Sequence, residues 1–203
     1  MADYRLLVPF ILRWEGGWAD DKDDKGGKTN RGITINTYKT LAKRLLNQEP
    51  TMTNFRQLSK AQAALFVKYF WDKSTANNRV RSQKIAEAIT TWRWGSGSYG
   101  LKEFQRLLNQ KYHANLKVDG VIGRNTVAKI NAINPDHLFN DMLQARKAFF
   151  ERLARRDPSQ MKFLKGWMNR LVSFGKTHQT VLKNTAKYGL PIALIGMASF
   201  FLS

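Results

Sequence analysis

Apolar residues recur at helical spacing along most of this chain of 203 residues. Intervals of three and four predict an amphipathic helix over residues 3–14, on the apolar positions Leu6, Leu7, Phe10, Ile11 and Trp14. The same periodicity predicts helices over residues 36–46, 61–72 and 83–94, with Ser59 as the N-cap of the second of them. No long alternating pattern typical of strands accompanies these segments, so the sequence indicates a mainly α protein.

In the second half of the chain the pattern remains helical. We expect a helix around Phe104, a turn at Asp119-Gly120 and a helix that begins after Asn125 as its N-cap. Residues 136–174 are predicted to continue in helix. Hydrophobic residues make up 43% of the chain and aromatic residues 12%, which is enough apolar material for a packed core and is not typical of disorder.

The last sixteen residues, 188–203, contain no charged side chain and follow Lys176, Lys183 and Lys187. As a helix this tail spans roughly 24 Å, at roughly 1.5 Å per residue. That length falls short of a hydrocarbon core of roughly 30 Å. We predict that residues 188–203 contact a membrane, because the lysines before them favour an anionic leaflet. Packing of the tail on the protein is the alternative.

One stretch, residues 14–34, departs from the composition of the rest. The chain has a formal net charge of +19 and only 15 acidic residues, yet five of these fall within ten positions: Glu15, Asp20, Asp21, Asp23 and Asp24. Five glycines surround them: Gly16, Gly17, Gly26, Gly27 and Gly32. Clustered carboxylates push one another's pKa values apart, and glycines allow close backbone approach. The stretch therefore indicates an active site.

Glu15 is the most distinctive of these carboxylates. It follows the predicted first helix and precedes two glycines, so its side chain faces the negative end of the helix dipole, which favours the protonated form. A protonated carboxyl group can act as a general acid. The alternative is a surface glutamate that happens to precede a glycine turn.

The motif Glu15-Gly16-Gly17-Trp18, followed by the run from Asp24 to Thr34, resembles the opening of the glycoside hydrolase family 108 N-acetylmuramidases. The resemblance implies a lysozyme-like helical fold, with a short β-hairpin possible near residues 27–34, and a catalytic acid at Glu15. The candidate catalytic residues are Glu15, Asp24, Asp20 and Thr29, and Asp21 is a further candidate for the second carboxylate. The candidate substrate-binding residues are Trp18, Gly26, Gly27, Asn30, Trp71 and Trp94, although packing is the alternative for each aromatic ring. Thr91 stands where an Asp is common in the family.

Residues 101–133 resemble small helical peptidoglycan-binding modules, through Phe104-Gln105, Asp119-Gly120, Gly123 and Thr126. We therefore expect a lysozyme-like catalytic domain over residues 1–98, a helical peptidoglycan-binding region over 99–175, and a basic linker with an apolar tail over 176–203. The expected reaction is hydrolysis of the β-1,4 bond between N-acetylmuramic acid and N-acetylglucosamine.

The composition of the chain limits the metal sites, cofactors and partners that we expect. The chain has no cysteine, which excludes disulfides and thiolate metal sites, and its three histidines are isolated along the sequence, so we expect no metal and no cofactor. The start of the chain does not have the pattern of a secretory signal peptide. We expect a monomer that acts on bacterial peptidoglycan in the periplasm or cell wall. A nucleic-acid or non-catalytic wall-binding protein that uses its basic surface is the alternative.

Overall fold

The computed structural model describes residues 1–14, 17–20 and 27–178. This part of the chain is mainly α-helical, with one small antiparallel sheet, which confirms the predicted fold class. Its α-helices are α1 (Val8–Trp14), α2 (Ile35–Leu46), α3 (Met52–Arg56), α4 (Lys60–Ser74), α5 (Gln83–Tyr112), α6 (Arg124–Ala132), α7 (Pro135–Arg156) and α8 (Met161–Thr177). Short 3-10 turns occupy Tyr4–Leu6 and Pro158–Gln160.

The sheet follows α1 and has three short strands in chain order: β1 (Trp18–Ala19), β2 (Thr29–Asn30) and β3 (Ile33–Thr34). Strands β2 and β3 form the hairpin that the sequence suggested, with Asn30 opposite Ile33. Arg31 and Gly32, the two residues of its turn, both have positive φ, as a hairpin of right-handed twist requires. Strand β1, which pairs Trp18 with Asn30, was not predicted.

Side-chain caps explain where several helices begin. The hydroxyls of Thr34, Thr51 and Ser59 accept from backbone amides in the first turns of α2, α3 and α4. At Ser59 the bond is reciprocal, because Gln62 also accepts from the Ser59 amide, forming a capping box. The predicted N-cap Ser59 is thus confirmed.

Three predicted helix boundaries are wrong. The helix expected over residues 3–14 is a 3-10 turn followed by α1. Asn125 is not an N-cap, since α6 starts after Gly123 and encloses Asn125 in its first turn. Residues 136–174 are not continuous, because Pro158 forces Asp157 into an extended conformation and ends α7.

Helix α5 is the central helix of the described residues. The predicted helix over residues 83–94 and the predicted helix around Phe104 lie on the two sides of a break at Gly97, whose φ of 55° and ψ of −143° are not helical, and together they form α5. Contacts along α5 reach α4 and α7, and α7 in turn packs on α8. The Trp92 ring contacts both Phe104 and Phe149, so one hydrophobic core extends across the break.

The two ends of the described chain are tied to the same helix. Gln83 exchanges two hydrogen bonds with the Asp3 backbone, at 2.7 and 2.9 Å, and also donates to the buried Glu87. Glu87 in turn lies 3.0 Å from His178 Nε2. Phe174 of α8 packs on Phe10 of α1, which brings the last helix against the first. Residues 188–203, for which membrane contact was predicted, lie outside the described residues.

Candidate functional site

The acidic, glycine-rich stretch lies between α1 and the sheet. Four predicted site residues, Glu15, Asp21, Asp24 and Gly26, lie outside the described residues. The position of Glu15 in the chain is nevertheless bracketed, since α1 ends at Trp14 and β1 begins at Trp18. Only three residues separate the helix from the strand. The candidate acid therefore belongs to the junction between α1 and the hairpin.

The hairpin is fixed to the helical body by Asn30 and Arg31. The Asn30 amide donates to the carbonyls of Phe55 and Arg56, at 2.6 and 3.0 Å, and the Arg31 guanidinium donates to the Leu58 carbonyl at 2.6 Å. These acceptors lie in the last turn of α3 and just beyond it, where helix carbonyls lack intrahelical partners. Asn30 is only 4% exposed. It therefore holds the hairpin in place, and its predicted contact with substrate has no support from its position.

Thr29 lies in β2, and Asp20 follows the last residue of the neighbouring strand β1. Thr29 pairs with Ala19 across the sheet and is fully buried, and its hydroxyl has no hydrogen-bond partner among the described residues. Such a group is uncommon, since buried hydroxyls are nearly always paired. Asp20 follows β1 and is half-exposed, in an ion pair of 3.2 Å with Lys28. Asp20 thus lies at the end of β1, and the Thr29 side chain is buried within β2.

Trp18, three residues after the predicted acid in the sequence, presents a partly exposed aromatic surface. Its side chain is 39% exposed, its ring meets the edge of Phe55 at 5.8 Å, and the Arg56 guanidinium lies 4.9 Å from its centroid. These contacts fix the indole in one orientation while part of it stays open to solvent. An oriented, partly exposed indole three residues from Glu15 can stack on a sugar ring.

Trp71 and Trp94, the other two tryptophans predicted to bind substrate, lie in the core. They are 1% and 2% exposed, the Trp71 Nε1 donates to Asn78 at 3.3 Å, and Trp94 packs on Phe70. An enclosed ring offers no face to a sugar, so both are packing residues in this structure. Sequence periodicity could not show that Trp71 and Trp94 are enclosed, since both occur in aromatic-rich helices where some rings are buried and others are partly or fully exposed.

Two arginines lie close to Trp14, and neither was predicted as a site residue. Arg146 and Arg170 line a cavity of about 10 Å³ together with Trp14 and Thr91. Arg170 donates to the Trp14 carbonyl at 3.3 Å, one residue before Glu15. Arg170 thus places a cation at the C-terminal end of α1, where helix carbonyls lack intrahelical partners.

Arg146 is the more deeply buried of the two, with 6% exposure. It donates to the Thr91 hydroxyl at 3.0 Å and to the Thr91 carbonyl at 2.9 Å, while its Nε is buried without a partner. Burial above all, and then Arg170, lowers the pKa of the Arg146 guanidinium to about 9. Thr91, at the position where an Asp is common in the resembled family, is thus the residue that faces this cation.

Within residues 1–14, 17–20 and 27–178, no three or more His, Asp or Glu side chains cluster as metal ligands would. Over the same ranges, none of the helices combines the length and the apolar character that crossing a membrane requires.

Comparison with known proteins agrees with this geometry. Residues 8–97 match the model of the family described as glycosyl hydrolase 108, and residues 99–172 match the model described as a predicted peptidoglycan domain. The solved structure of Brucella abortus SagA is similar to this chain with a TM-score of 0.70 and 23% sequence identity, over 90% of this chain and 97% of that one. At that identity the likeness shows a shared fold. No curated protein matches the chain significantly.

Proposed function

We propose that this protein is a peptidoglycan hydrolase with Glu15 as its general acid. The match of residues 8–97 to glycosyl hydrolase 108 and of residues 99–172 to a predicted peptidoglycan domain supports this function. The bond cleaved is the β-1,4 linkage between N-acetylmuramic acid and N-acetylglucosamine. The protein then acts where this polymer lies, in the cell wall or periplasm. The observation that carries the assignment is the position of residue 15 in the chain, in the three-residue connection between the end of α1 at Trp14 and the start of β1 at Trp18.

Two described features support a glycan at this junction. Trp18 offers a partly exposed ring fixed by Arg56 and Phe55, and the hairpin beside it is locked to α3 through Asn30. A rigid hairpin holds the stacking surface in one place, and catalysis by positioning requires such rigidity. Glu15 protonates the leaving oxygen as positive charge develops on the sugar.

Glu15→Gln tests the assignment. The amide keeps the size and the hydrogen bonding of the side chain but cannot give up a proton, so hydrolysis of purified sacculi should fall by at least about a hundredfold. Turbidity loss of a sacculus suspension measures the rate, and circular dichroism checks that the variant is folded. The matched control is Glu49→Gln, which removes an exposed carboxylate paired only with Lys43 and should leave the rate unchanged. A folded Glu15→Gln protein with near wild-type activity would contradict the proposal.

For the second carboxylate we propose Asp24 over Asp20. Asp20 is half-exposed and already paired with Lys28, so it supports the end of β1. Asp24→Asn should therefore cost more activity than Asp20→Asn, in the same turbidity assay. The reverse order would assign the role of stabilising charge or activating water to Asp20.

We propose in addition that the uncharged tail, residues 188–203, contacts a membrane. Its support is the sequence alone: sixteen residues without charge after a basic segment. Because His178 still contacts Glu87 and packs on Phe139 and Phe174, the tail is best removed after residue 178. Deleting residues 179–203 should leave sacculus hydrolysis intact and move the protein from vesicles of anionic phospholipid into the soluble fraction. Unchanged sedimentation with such vesicles would contradict the membrane contact.

A further inference from the structure

A pocket of about 430 Å³ opens in the second half of the molecule, apart from the junction that carries Glu15. The loop between α5 and α6 forms one side of it, and the first turns of α6 form the other. Its volume falls within the usual range of ligand sites, roughly 300–1,000 Å³. Val121, which is 61% exposed, lies on its wall.

Two amide side chains of α5 hold the loop in one conformation. Asn109 exchanges two hydrogen bonds with the Leu116 backbone, at 2.7 and 2.8 Å. Gln105 accepts from the Gly120 amide at 2.7 Å and donates to the Val121 carbonyl and to Asp119. The Gly120 backbone, with φ of +79°, packs against Ser98, where a Cβ would lie 2.9 Å from the Ser98 carbonyl oxygen. The pocket is therefore preformed, which reduces the entropic cost of binding a ligand.

Three cations line the pocket: Lys117, Arg124 and Lys129. One carboxylate, Asp119, lies among them. Its pKa is held below the usual value, first by the hydrogen bond from Gln105 and also by the Val121 amide and nearby Lys117. At neutral pH the pocket thus has three positive charges and one negative charge, and the Asp119 carboxylate already accepts hydrogen bonds from Gln105 of α5 and from the Val121 amide of the loop.

The other carboxylates of residues 99–178 are engaged elsewhere. Each has a partner outside the pocket: Glu103 with Arg106 and Arg152, Asp136 with Lys84, Asp141 with Lys111 and Tyr112, Glu151 with Lys147, and Asp157 with the Ser159 amide. No other acidic side chain of this described range is left to neutralise the pocket. The positive charge is therefore available to an anionic ligand.

We propose that this pocket binds a carboxylate of the peptide stems of peptidoglycan. The inference rests on the proposed function, because it takes peptidoglycan as the partner. Within that polymer the sugars carry no charge once their lactyl groups are amidated, so the carboxylates lie on the peptides. The catalytic junction then engages the glycan while the pocket engages a peptide, and two linked contacts hold the enzyme on the wall more strongly than one.

The test uses the full chain and a synthetic stem tetrapeptide of alanine, γ-linked glutamate, lysine and D-alanine. This peptide contains no sugar, so its binding is independent of glycan hydrolysis. Isothermal titration should show it bound at least about tenfold more tightly than the same peptide with its carboxyl groups amidated, since charge-assisted hydrogen bonds are about twice as strong as neutral ones.

Two variants localise the binding. Lys117→Gln/Arg124→Gln/Lys129→Gln removes the cations and should abolish the preference for the free acid. Gly123→Phe leaves the charge unchanged but fills the pocket, because nothing lies within 4 Å of a Cβ at Gly123 and its φ of −95° suits any residue. The matched control Arg155→Gln/Arg156→Gln/Lys165→Gln removes equal charge from exposed positions of the same half and should bind the peptide as wild type does.

Equal binding of the acid and the amide would overturn the proposal, as would wild-type binding by Gly123→Phe. If the control variant lost as much peptide binding as the pocket variant, general charge attraction would be enough to explain the binding. That result would also overturn the proposal. A wild-type protein that binds the peptide but leaves sacculi intact would instead contradict the proposed hydrolase function and leave the pocket assignment standing.

Discussion

Thr91 shows how one residue sets the environment of another far away in sequence. It faces Arg146, a guanidinium that is almost fully enclosed and has a lowered pKa. Among the described residues, no carboxylate forms an ion pair with Arg146, so the fold bears the cost of burying this cation. Removing a charge from water is expensive unless a counter-charge or full hydrogen bonding replaces the solvent.

Thr91→Asp should therefore stabilise the protein relative to Thr91→Asn, its uncharged isostere. The carboxylate would accept from Arg146 with opposite charge, and hydrogen bonds to charged groups contribute about 1.5–3 kcal/mol. The gain should be present at neutral pH and be lost as pH falls and the carboxyl group becomes protonated. Thermal unfolding of the two variants at pH 7 and about pH 2 measures it, because the gain is lost only as pH falls through the lowered pKa of the paired carboxyl group. An Asp variant no more stable than the Asn variant at pH 7 would contradict this account of Arg146.

The roles of single residues in the site depend on partners that are distant in sequence. Asn30 and Trp71 lie in motifs or segments that resemble substrate-binding positions, yet the structure uses them for anchoring and packing. Their roles depend on which carbonyl or ring lies opposite, and those partners are distant in sequence. Arg146 and Thr91 are 55 positions apart, so no local pattern could pair them.

At the scale of elements, the helices were predictable because their apolar spacing and caps are local. Ser59 and Gln62 define the start of α4 within four residues. Strand β1 was not predictable, since two residues have no periodicity and its pairing depends on Asn30. The break in α5 was predictable from local signals, because Gly95, Ser96 and Gly97 are typical of a helix end and Gly97 has non-helical φ and ψ.

The break at Gly97 should tolerate no other residue. Its φ and ψ lie in a region that is essentially restricted to glycine, so Gly97→Ala should lower the free energy of unfolding by about 1–3 kcal/mol. Gly166→Ala is the matched control, because Gly166 lies inside α8 and a Cβ there meets nothing within 4 Å. That substitution should raise the free energy of unfolding by about 0.5–1 kcal/mol, as alanine favours helix over glycine. Urea denaturation compares the two, and shifts of the same sign would contradict the break at Gly97.

At the scale of the whole molecule, the two halves are joined more closely than two family matches in series suggest. Helix α5 crosses from residues 8–97 into 99–172, the Trp92 ring contacts Phe104 and Phe149 across the break, and α8 returns to pack on α1. A rigid joint would fix the distance between a glycan at the Glu15 junction and a peptide in the pocket near Gly123. The net charge of +19 adds attraction to an anionic wall without selecting a site on it.

The central claim is that this molecule hydrolyses the glycan of peptidoglycan, and the masses of the fragments released from purified sacculi test it most directly. Wild-type protein should release muropeptides that end in a reducing N-acetylmuramic acid with a free anomeric hydroxyl, since water is the final acceptor of the sugar. The Glu15→Gln protein should release none above background in the same time. Anhydro sugar ends would instead identify a lytic transglycosylase, and free peptides with an intact glycan would identify an amidase; either product would contradict the account.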